Sequence, residues 1–451
     1  MPYREDPSEA RAFPPPTSPP RMAARRIVII SASVGAGHDG AADQLARRLR
    51  SDGFHVDRHD FLDLLPARLG KLLSGGYHRL LTWAPDGYQL IYAITERTGR
   101  PGPAVRALLR SAERKTLRTV TPDTVAVVST YPGASQVLGA LRTGGRLTVP
   151  ALTYLTDFSV HALWIAPGVD RHLAAHPIPA GQARAQGASR VTVTSPVVDS
   201  RFAPASAQQR RAAREQFALP LGTPLALLVA GSWGVGAVEQ AAADIRDSGV
   251  AMPVVVCGRN TALVGRLRAQ GIEHIHGWVQ DMPTLMRACD ALVENAGGLT
   301  SLEAFATGLP VASYRCIPGH GQTNAQALHD AGLASWVREP SQLAAVLTEL
   351  IDGPAGREQL ARGLALFRAD RGPAQAVADA AGRPSDTRPS TPRVPRSPLP
   401  RGRDRRRVPA LAAAAAMAVT VALGIGAPLA DAYGDSPAHF RPFSQILEGD
   451  R

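Results

Sequence analysis

The clearest pattern in the chain is a series of short apolar runs separated by segments with helical spacing. The first run, residues 26–30, is β-branched and continuous, which is typical of a parallel strand buried on both faces. It leads into a glycine-rich turn, and the apolar residues from Ala42 to Leu49 then share one face of a helix predicted over 40–49. Strand, turn and helix in this order predict a βα unit.

The same alternation recurs in both halves of the chain. A polar stretch rich in Arg and Gln, 208–217, is predicted to be a helix that links the halves. The pattern predicts an α/β protein of two Rossmann-like, doubly wound domains facing a cleft. Further strands are predicted at 125–129, 151–155, 225–230, 254–257, 274–277, 291–293 and 311–314, with helices at 282–287 and 302–306.

The alternation stops at both ends of the chain, where proline, serine and arginine dominate. Such segments are too polar to bury a core of their own. We therefore divide the chain into a disordered leader (1–24), an acceptor-side domain (25–205), a nucleotide-sugar domain (206–381), a Pro/Arg-rich linker (382–407), an apolar segment (408–430) and a short tail (431–451).

The apolar segment has three interpretations. Residues 408–429 are uncharged and long enough to span a membrane, and the Arg405–Arg407 cluster before them would stay cytoplasmic. The sequence around Asp431 also resembles a signal-peptidase site, and the high alanine content is equally compatible with a tail that does not insert.

Charge and cysteine content exclude several functions. Residues 383–407 contain nine Arg and two Asp, so they carry +7 of the net charge of +12, and the remainder is too dilute to predict a nucleic-acid partner. Cys257, Cys289 and Cys316 form no Cys-x-x-Cys pattern, which predicts buried thiols in a reducing compartment and no metal site.

The segment Asn295–Pro310 carries the strongest chemical signal. Gly297 and Gly298 allow close approach of a ligand to the backbone, and Thr300 and Ser301 could cap the helix that follows. Free N–H groups at a helix start favour a diphosphate. Glu303 could accept hydrogen bonds from ribose hydroxyls, or could simply favour the helix dipole.

This segment resembles the nucleotide-sugar site of GT-B glycosyltransferases, in the lineage of monogalactosyldiacylglycerol synthase, processive diacylglycerol glucosyltransferases and the peptidoglycan N-acetylglucosaminyltransferase. The resemblance implies that Glu303 binds ribose and that the backbone around Gly277 and Val279 binds uracil. It also implies that the remaining nucleotide-sugar contacts come from Gly231, Ser232, Gly297, Gly298, Leu299 and Thr300.

The glycine-rich turn Ser33–His38 resembles the turn that opens this lineage. It is neither a Walker A loop nor a complete dinucleotide fingerprint, because no Gly-Lys-Ser/Thr follows and no acidic residue ends a clear second strand. The resemblance implies an acceptor-side role for His38, as base or as a binder of the hydroxyl or phosphates. A solvent-facing capping histidine is the alternative.

A third block, Thr156–Trp164, resembles the T-D-F/Y-x-x-H-x-x-W segment of the members that act on diacylglycerol. Asp157 and His161 are four residues apart and would share a face if the segment were helical. The resemblance makes Asp157 a candidate base or base-orienting residue and His161 its catalytic neighbour. The alternative is a purely structural aspartate–histidine pair.

Two positions depart from the family pattern. The loop that contacts the donor sugar usually reads P-G-Q-E-x-x-N, but here His320 replaces the glutamine and Gly321 the acidic residue, while Gln322 and Asn324 complete the loop. Tyr131 stands where relatives commonly carry histidine. The identity of the sugar therefore stays open.

Taken together, these motifs predict an inverting transferase that moves a hexose or N-acetylhexosamine from a UDP-sugar to a lipid-linked acceptor such as diacylglycerol. No Asp-x-Asp motif is present, so neither metal nor cofactor is expected. The resemblance and the basic tail place the protein at the inner face of the plasma membrane, in the cytoplasm. The alternatives are a UDP-sugar epimerase on the same fold and a non-catalytic, membrane-tethered nucleotide-sugar binder.

Overall fold

The computed structural model describes residues 25–66, 69–70, 102–369 and 371–382. Within these residues, two parallel sheets of six strands each form two Rossmann-like halves, as predicted. The predicted linker, apolar segment and tail (382–451, apart from Gly382) and the leader lie outside the described residues. No helix of the described residues is both long and apolar enough to cross a membrane.

The first sheet has the strand order β2-β1-β3-β4-β5-β6. Its order reverses beside β1, so the ends of β1 and β3 open a crevice where ligands bind in such folds. The strands are β1 (Arg26–Ser31), β2 (His55–Asp60), β3 (Thr124–Ser129), β4 (Ala151–Tyr154), β5 (Arg171–Ala174) and β6 (Val191–Val193), and the helices are α1 (Ala36–Ser51), α2 (Phe61–Leu64), α3 (Pro103–Arg118), α4 (Pro132–Thr143) and α5 (Pro177–Ala185).

The second sheet has the order β12-β11-β10-β7-β8-β9, and its crevice lies at the ends of β7 and β10. Its strands are β7 (Leu225–Val229), β8 (Met252–Val256), β9 (His274–His276), β10 (Ala291–Glu294), β11 (Val311–Tyr314) and β12 (Ser335–Val337). The helices are α6 (Ala207–Gln216), α7 (Val238–Asp247), α8 (Thr261–Ala269), α9 (Met282–Ala288), α10 (Leu299–Thr307), α11 (His320–Asp330), α12 (Leu343–Ile351), α13 (Pro354–Ala365) and α14 (Pro373–Gly382).

Most of the strands that apolar runs predict are buried, and β9 is the partly exposed exception. β1, β3, β7 and β10 are buried along almost their whole length. The pattern missed β2, β5, β6 and β12. Three of them, β2, β6 and β12, are edge strands with largely polar or partly exposed residues, because a strand paired on one side needs no continuous apolar run. The fourth, β5, is an inner strand of only four residues that begins with Arg171 and His172, so it too has no apolar run.

The last described helix, α14, crosses back to the first half. Ala374, Ala376 and Val377 are buried in a cluster that also contains Ile27 and Ile29 of β1. The sequence assigns residues up to 381 to the second domain, but this helix packs on the first. Its apolar face therefore closes one side of the first sheet and ties the two halves together.

The two halves also touch directly at the cleft. Gly40 of α1 faces Leu299 at the start of α10, so closely that a Cβ on Gly40 would lie 2.5 Å from Leu299 Cδ2. The glycine spacing in α1 therefore has a physical reason other than a dinucleotide fingerprint. It lets the first turns of helices from different domains pack together.

Candidate active site

One cavity of about 560 Å³ lies between the two halves, at the carboxyl ends of both sheets. The first half contributes the turn after β1, and the second half contributes the turns after β7 and β10. The predicted site residues that line it are His38, Asp157, His161, Gly231, Ser232, Val279, Gly297, Gly298, Leu299, Thr300, Glu303 and His320. These residues are far apart in sequence, and the fold brings them together in the cleft between the two halves.

The first turn of α10 faces the cavity without a side-chain cap. The N-cap residue is Gly298, and Thr300 and Ser301 lie inside the first turn, so neither caps the helix as the sequence suggested. A helix start without a side-chain acceptor leaves backbone N–H groups and the positive end of the dipole available to an anion. This geometry suits a diphosphate.

A buried carboxyl group beneath the turn holds its shape. Glu294, at the end of β10, accepts hydrogen bonds from the backbone N–H of Ala296 at 2.7 Å and of Gly297, and from Ser313 Oγ at 2.6 Å. Burial raises the pKa of Glu294 despite these donors. Nothing in the linear pattern identifies Glu294 as a site residue, because its role depends on the folded turn.

Gly297 has a φ of +66°, a conformation that residues with a Cβ rarely adopt. A Cβ there would also lie 2.6 Å from the Cβ of Asn324. Gly298 has an ordinary φ of −98° and open space where its Cβ would be. The first glycine is thus required by backbone and packing, and the second keeps the cavity open.

Glu303 lies one turn into α10 and lines the same cavity. Burial, reinforced by the nearby negative charge of Asp199, raises the pKa of Glu303 to about 8. A carboxyl group that is costly to ionise without a partner is expected where a ligand supplies hydrogen-bond donors.

On the opposite wall, His38 lies in the first turn of α1. Its Nδ1 is 3.0 Å from Thr156 Oγ1, and its ring contacts Tyr131 at 5.4 Å and Trp164 at 5.9 Å between centroids. With Nδ1 engaged by a hydroxyl, Nε2 is the nitrogen left for a ligand. Thr156, whose role the sequence did not predict, orients this ring.

Asp157 is fixed by a tryptophan and not by a helical turn. Its Oδ2 accepts a hydrogen bond from Trp164 Nε1 at 3.0 Å. Residues 157–161 form an irregular loop, so the expectation of a shared helical face is wrong, although Asp157 and His161 both line the cavity. His161 Nδ1 accepts from the backbone N–H of Leu163 and caps the short 3₁₀ turn Ala162–Trp164.

The donor-sugar loop contributes His320 to the cavity, at the first position of α11. Burial lowers the pKa of His320, although the charge of Asp157 opposes that shift. Gln322 and Asn324 do not line the cavity. Asn324 is fully buried, and both the oxygen and the nitrogen of its amide group bond to protein atoms. Its amide group therefore makes structural hydrogen bonds in place of the expected contact with the sugar.

The expected uracil-binding segment lies at the edge of the cavity. Trp278 and Val279 line it, whereas Gly277 does not. The indole of Trp278 is 51% exposed, and the Arg259 guanidinium lies 4.6 Å from the ring centroid. Large exposed aromatic groups at a cavity mouth are available to stack on a ligand.

Comparisons with known proteins agree with this geometry. Residues 38–196 match the model of the monogalactosyldiacylglycerol (MGDG) synthase family. The match begins at His38 and includes the Thr156–Trp164 block, so it covers most of the first half.

Relatives extend the similarity to the second half. A processive diacylglycerol beta-glucosyltransferase of Bacillus pumilus is 25% identical over 341 residues, which cover 72% of this chain and 87% of the relative. The enzyme of the same name from Bacillus mycoides is 26% identical over 343 residues, covering 72% and 85%.

Solved structures share the fold. The spinosyn rhamnosyltransferase SpnG, complexed with thymidine diphosphate, superposes with a TM-score of 0.51 at 12% identity, covering 79% of this chain and 99% of its own. The Streptomyces glycosyltransferase SsfS6 gives 0.50 at 16%, covering 78% and 99%. With its two Rossmann-like halves and shared cleft, the chain has the GT-B fold, and its sequence is similar to the monogalactosyldiacylglycerol synthase family and to the processive diacylglycerol glucosyltransferases.

Proposed function

We propose that the protein transfers a hexose or N-acetylhexosamine from a UDP-sugar to a hydroxyl of a lipid-linked acceptor such as diacylglycerol, with inversion at the anomeric carbon. The observation that carries this proposal is the uncapped start of α10 opposite His38 in one cavity. An anion site and a proton acceptor on facing walls are what glycosyl transfer from a nucleotide diphosphate requires.

In the proposed complex, the diphosphate lies on the first turn of α10, against Gly298 and Thr300, and Glu303 accepts hydrogen bonds from the ribose. The uracil lies at the segment that contains Trp278 and Val279, on the outer side of the second sheet. Gly231 and Ser232 border the cavity from the end of β7 and would approach the phosphates or the sugar.

For the chemical step we assign the base to His38. If Nδ1–H donates to Thr156 Oγ1, Nε2 is unprotonated and can take the acceptor proton. The acceptor oxygen then bonds to the anomeric carbon as the bond from that carbon to UDP breaks. Asp157, held by Trp164, supplies negative charge on the side where the imidazolium forms.

The negative charge that develops on the leaving UDP is stabilised by the N–H groups and dipole of α10, a task that metal ions perform in other transferases. We propose accordingly that no metal is needed. Inversion is in keeping with the relatives' description as beta-glucosyltransferases, since UDP-glucose carries its sugar in the α configuration.

A lipid acceptor is supported by the names of the relatives and by the apolar groups around His38. Tyr131, Leu163 and Trp164 line the acceptor side of the cavity. We propose that the enzyme acts at the inner face of the plasma membrane, with contributions from the basic linker 382–407.

The direct test is incubation of the full chain with radiolabelled UDP-glucose, UDP-galactose or UDP-N-acetylglucosamine and a lipid extract, with and without a chelator. We expect one donor to label a glycolipid in both conditions, and NMR of the product to show a β linkage. Isomerisation of the donor without acceptor would indicate an epimerase, and UDP binding without turnover would indicate a binding protein.

A further inference from the structure

A small hydrogen-bonded cluster joins the two halves directly behind the cavity. Ser159 follows Asp157 by two residues in the first half, and Thr323 and Asn324 belong to α11 of the second. The backbone N–H of Ser159 donates to Asn324 Oδ1 at 2.7 Å, and Ser159 Oγ donates to the same oxygen at 2.8 Å. Ser159 Oγ is also 2.8 Å from Thr323 Oγ1.

Asn324 connects this cluster to the nucleotide turn. Its Nδ2 donates to the backbone oxygen of Ala296 at 2.9 Å, and its Cβ packs against Gly297. One fully buried amide group thus bonds to the turn expected to hold the diphosphate and to the segment that carries Asp157. Buried amide groups with all partners satisfied fix geometry, and their partners cannot shift independently.

The Ser159 segment is anchored on both sides, to its own half through Val160 and to the second half through Phe158. The next residue, Val160, accepts from Gln186 at its oxygen and its N–H donates to Gln182 Oε1 at 2.8 Å. The preceding residue, Phe158, is buried in the core cluster that contains β7 and β10 of the second half. Displacement of Ser159 relative to Asn324 would therefore move Asp157 relative to the donor turn.

From these contacts we infer that Ser159, Thr323 and Asn324 act as an interdomain clasp. It consists of positioning residues that hold the Asp157 segment and His320 in register with the nucleotide turn. Their role in turnover rests on the proposed transferase function. Ser159 lines the cavity beside Asp157, on the acceptor side, whereas Thr323 and Asn324 do not line it. We therefore expect the clasp to set the alignment of the reacting groups and to leave the affinity for the nucleotide unchanged.

The test compares Ser159→Ala and Thr323→Val with the double variant, and with Ser248→Ala as a matched control. Ser248 Oγ also makes two hydrogen bonds, to Ile245 and Val250, but within one domain. Because misalignment near 1 Å can cost up to about 100-fold in rate, we expect kcat to fall about tenfold in either clasp variant. The double variant should fall no further than Ser159→Ala alone, since Ser159→Ala already removes the one interdomain bond that Thr323→Val removes, the bond between their hydroxyl groups.

The accompanying readouts separate positioning from binding and from folding. KM for the UDP-sugar and the Kd for UDP should stay within about twofold of wild type in each variant. Amide hydrogen exchange across residues 320–330 should become faster in Ser159→Ala and stay unchanged in Ser248→Ala.

A parallel loss of UDP affinity and kcat would overturn the inference, since these residues would then belong to the donor site. Wild-type kcat and exchange in both clasp variants would overturn it as well. If the wild-type chain transfers no sugar, the proposed function fails, and the exchange comparison still decides whether the clasp joins the domains.

Discussion

The two halves each place a glycine-rich turn and a helix start at the carboxyl end of a central strand, yet the two turns do different chemistry. After β1, the first turn of α1 presents the imidazole of His38, held by Thr156. After β10, the first turn of α10 presents bare backbone, and the carboxyl group of Glu294 supports the turn from beneath.

In the proposed function, this difference lets one topology supply both the base and the site for the leaving group of a transfer reaction. A side chain at the helix start gives a titratable group with one free nitrogen, which suits a proton acceptor. A helix start without a cap gives several fixed donors and a partial positive charge, which suits a leaving diphosphate. The glycine at position 40 lets these unlike turns approach across the cleft.

The largest expected effect on activity comes from a substitution of His38, in the turn after β1. His38→Ala removes the proposed base, so kcat should fall about 10³-fold, within the range of general-base contributions. The Kd for UDP, measured by titration calorimetry, should stay within about twofold, because the nucleotide lies on the other wall.

His55→Ala is a suitable control for His38→Ala, since His55 is an exposed histidine of the edge strand β2. It should retain wild-type kcat. An unchanged kcat in His38→Ala would refute the assignment of the base, and a lost UDP affinity would show that the two turns do not divide the chemistry as proposed.

The turn after β10 should be distorted by the addition of a single methyl group at Gly297. Gly297→Ala places a Cβ at a φ of +66° and against Asn324, so strain of about 1–3 kcal/mol is expected. Since the strained turn carries the diphosphate donors, UDP affinity should fall about 10- to 100-fold, as calorimetry would show.

Gly298→Ala is the matched change, because its φ of −98° is negative and nothing lies within 4 Å of the added Cβ. It should unfold at the wild-type temperature. Equal thermal destabilisation by the two alanines would contradict the account of why the first glycine is needed.

Some features of the fold and of the site can be predicted from the sequence and others cannot, and the reason is physical. Buried strands such as β1 and β7 are continuous apolar runs, and the glycines and Glu303 occur at fixed spacings, so both can be identified from the linear pattern. Edge strand β2 satisfies half of its hydrogen bonds with one neighbour and is polar, so periodicity does not reveal it.

The supporting contacts could not be predicted, since they join residues far apart in sequence. Thr156 and His38 are 118 positions apart, and Ser159 and Asn324 are 165. The resemblance to the family's donor-sugar loop implied that Asn324 contacts sugar, whereas the fold buries its amide group between two domains. Only the tertiary structure distinguishes a ligand contact from a clasp.

The smallest expected effect concerns the ionisation of Glu303, in the helix that follows the second turn. Because the pKa of Glu303 is raised to about 8, this carboxyl group is protonated at neutral pH and ionises as the pH rises through that value. A carboxylate accepts ribose hydrogen bonds more strongly than the neutral acid does. The affinity for a UDP-sugar should therefore increase about three- to tenfold between about pH 6.5 and 8.5.

UDP-glucose without acceptor is the appropriate ligand for this titration, because its diphosphate has no terminal phosphate that titrates near pH 6. Glu303→Gln should bind more weakly at high pH and show a flat profile. The raised pKa also predicts that wild-type stability declines as the pH rises toward about 8, since the unfolded chain ionises Glu303 at lower pH than the folded protein does, and that glutamine removes this slope. Parallel profiles for the two proteins would mean that a group other than Glu303 controls the pH dependence of binding. The pH dependence of nucleotide binding would then not arise at the turn after β10, although that turn holds the diphosphate in the proposed complex.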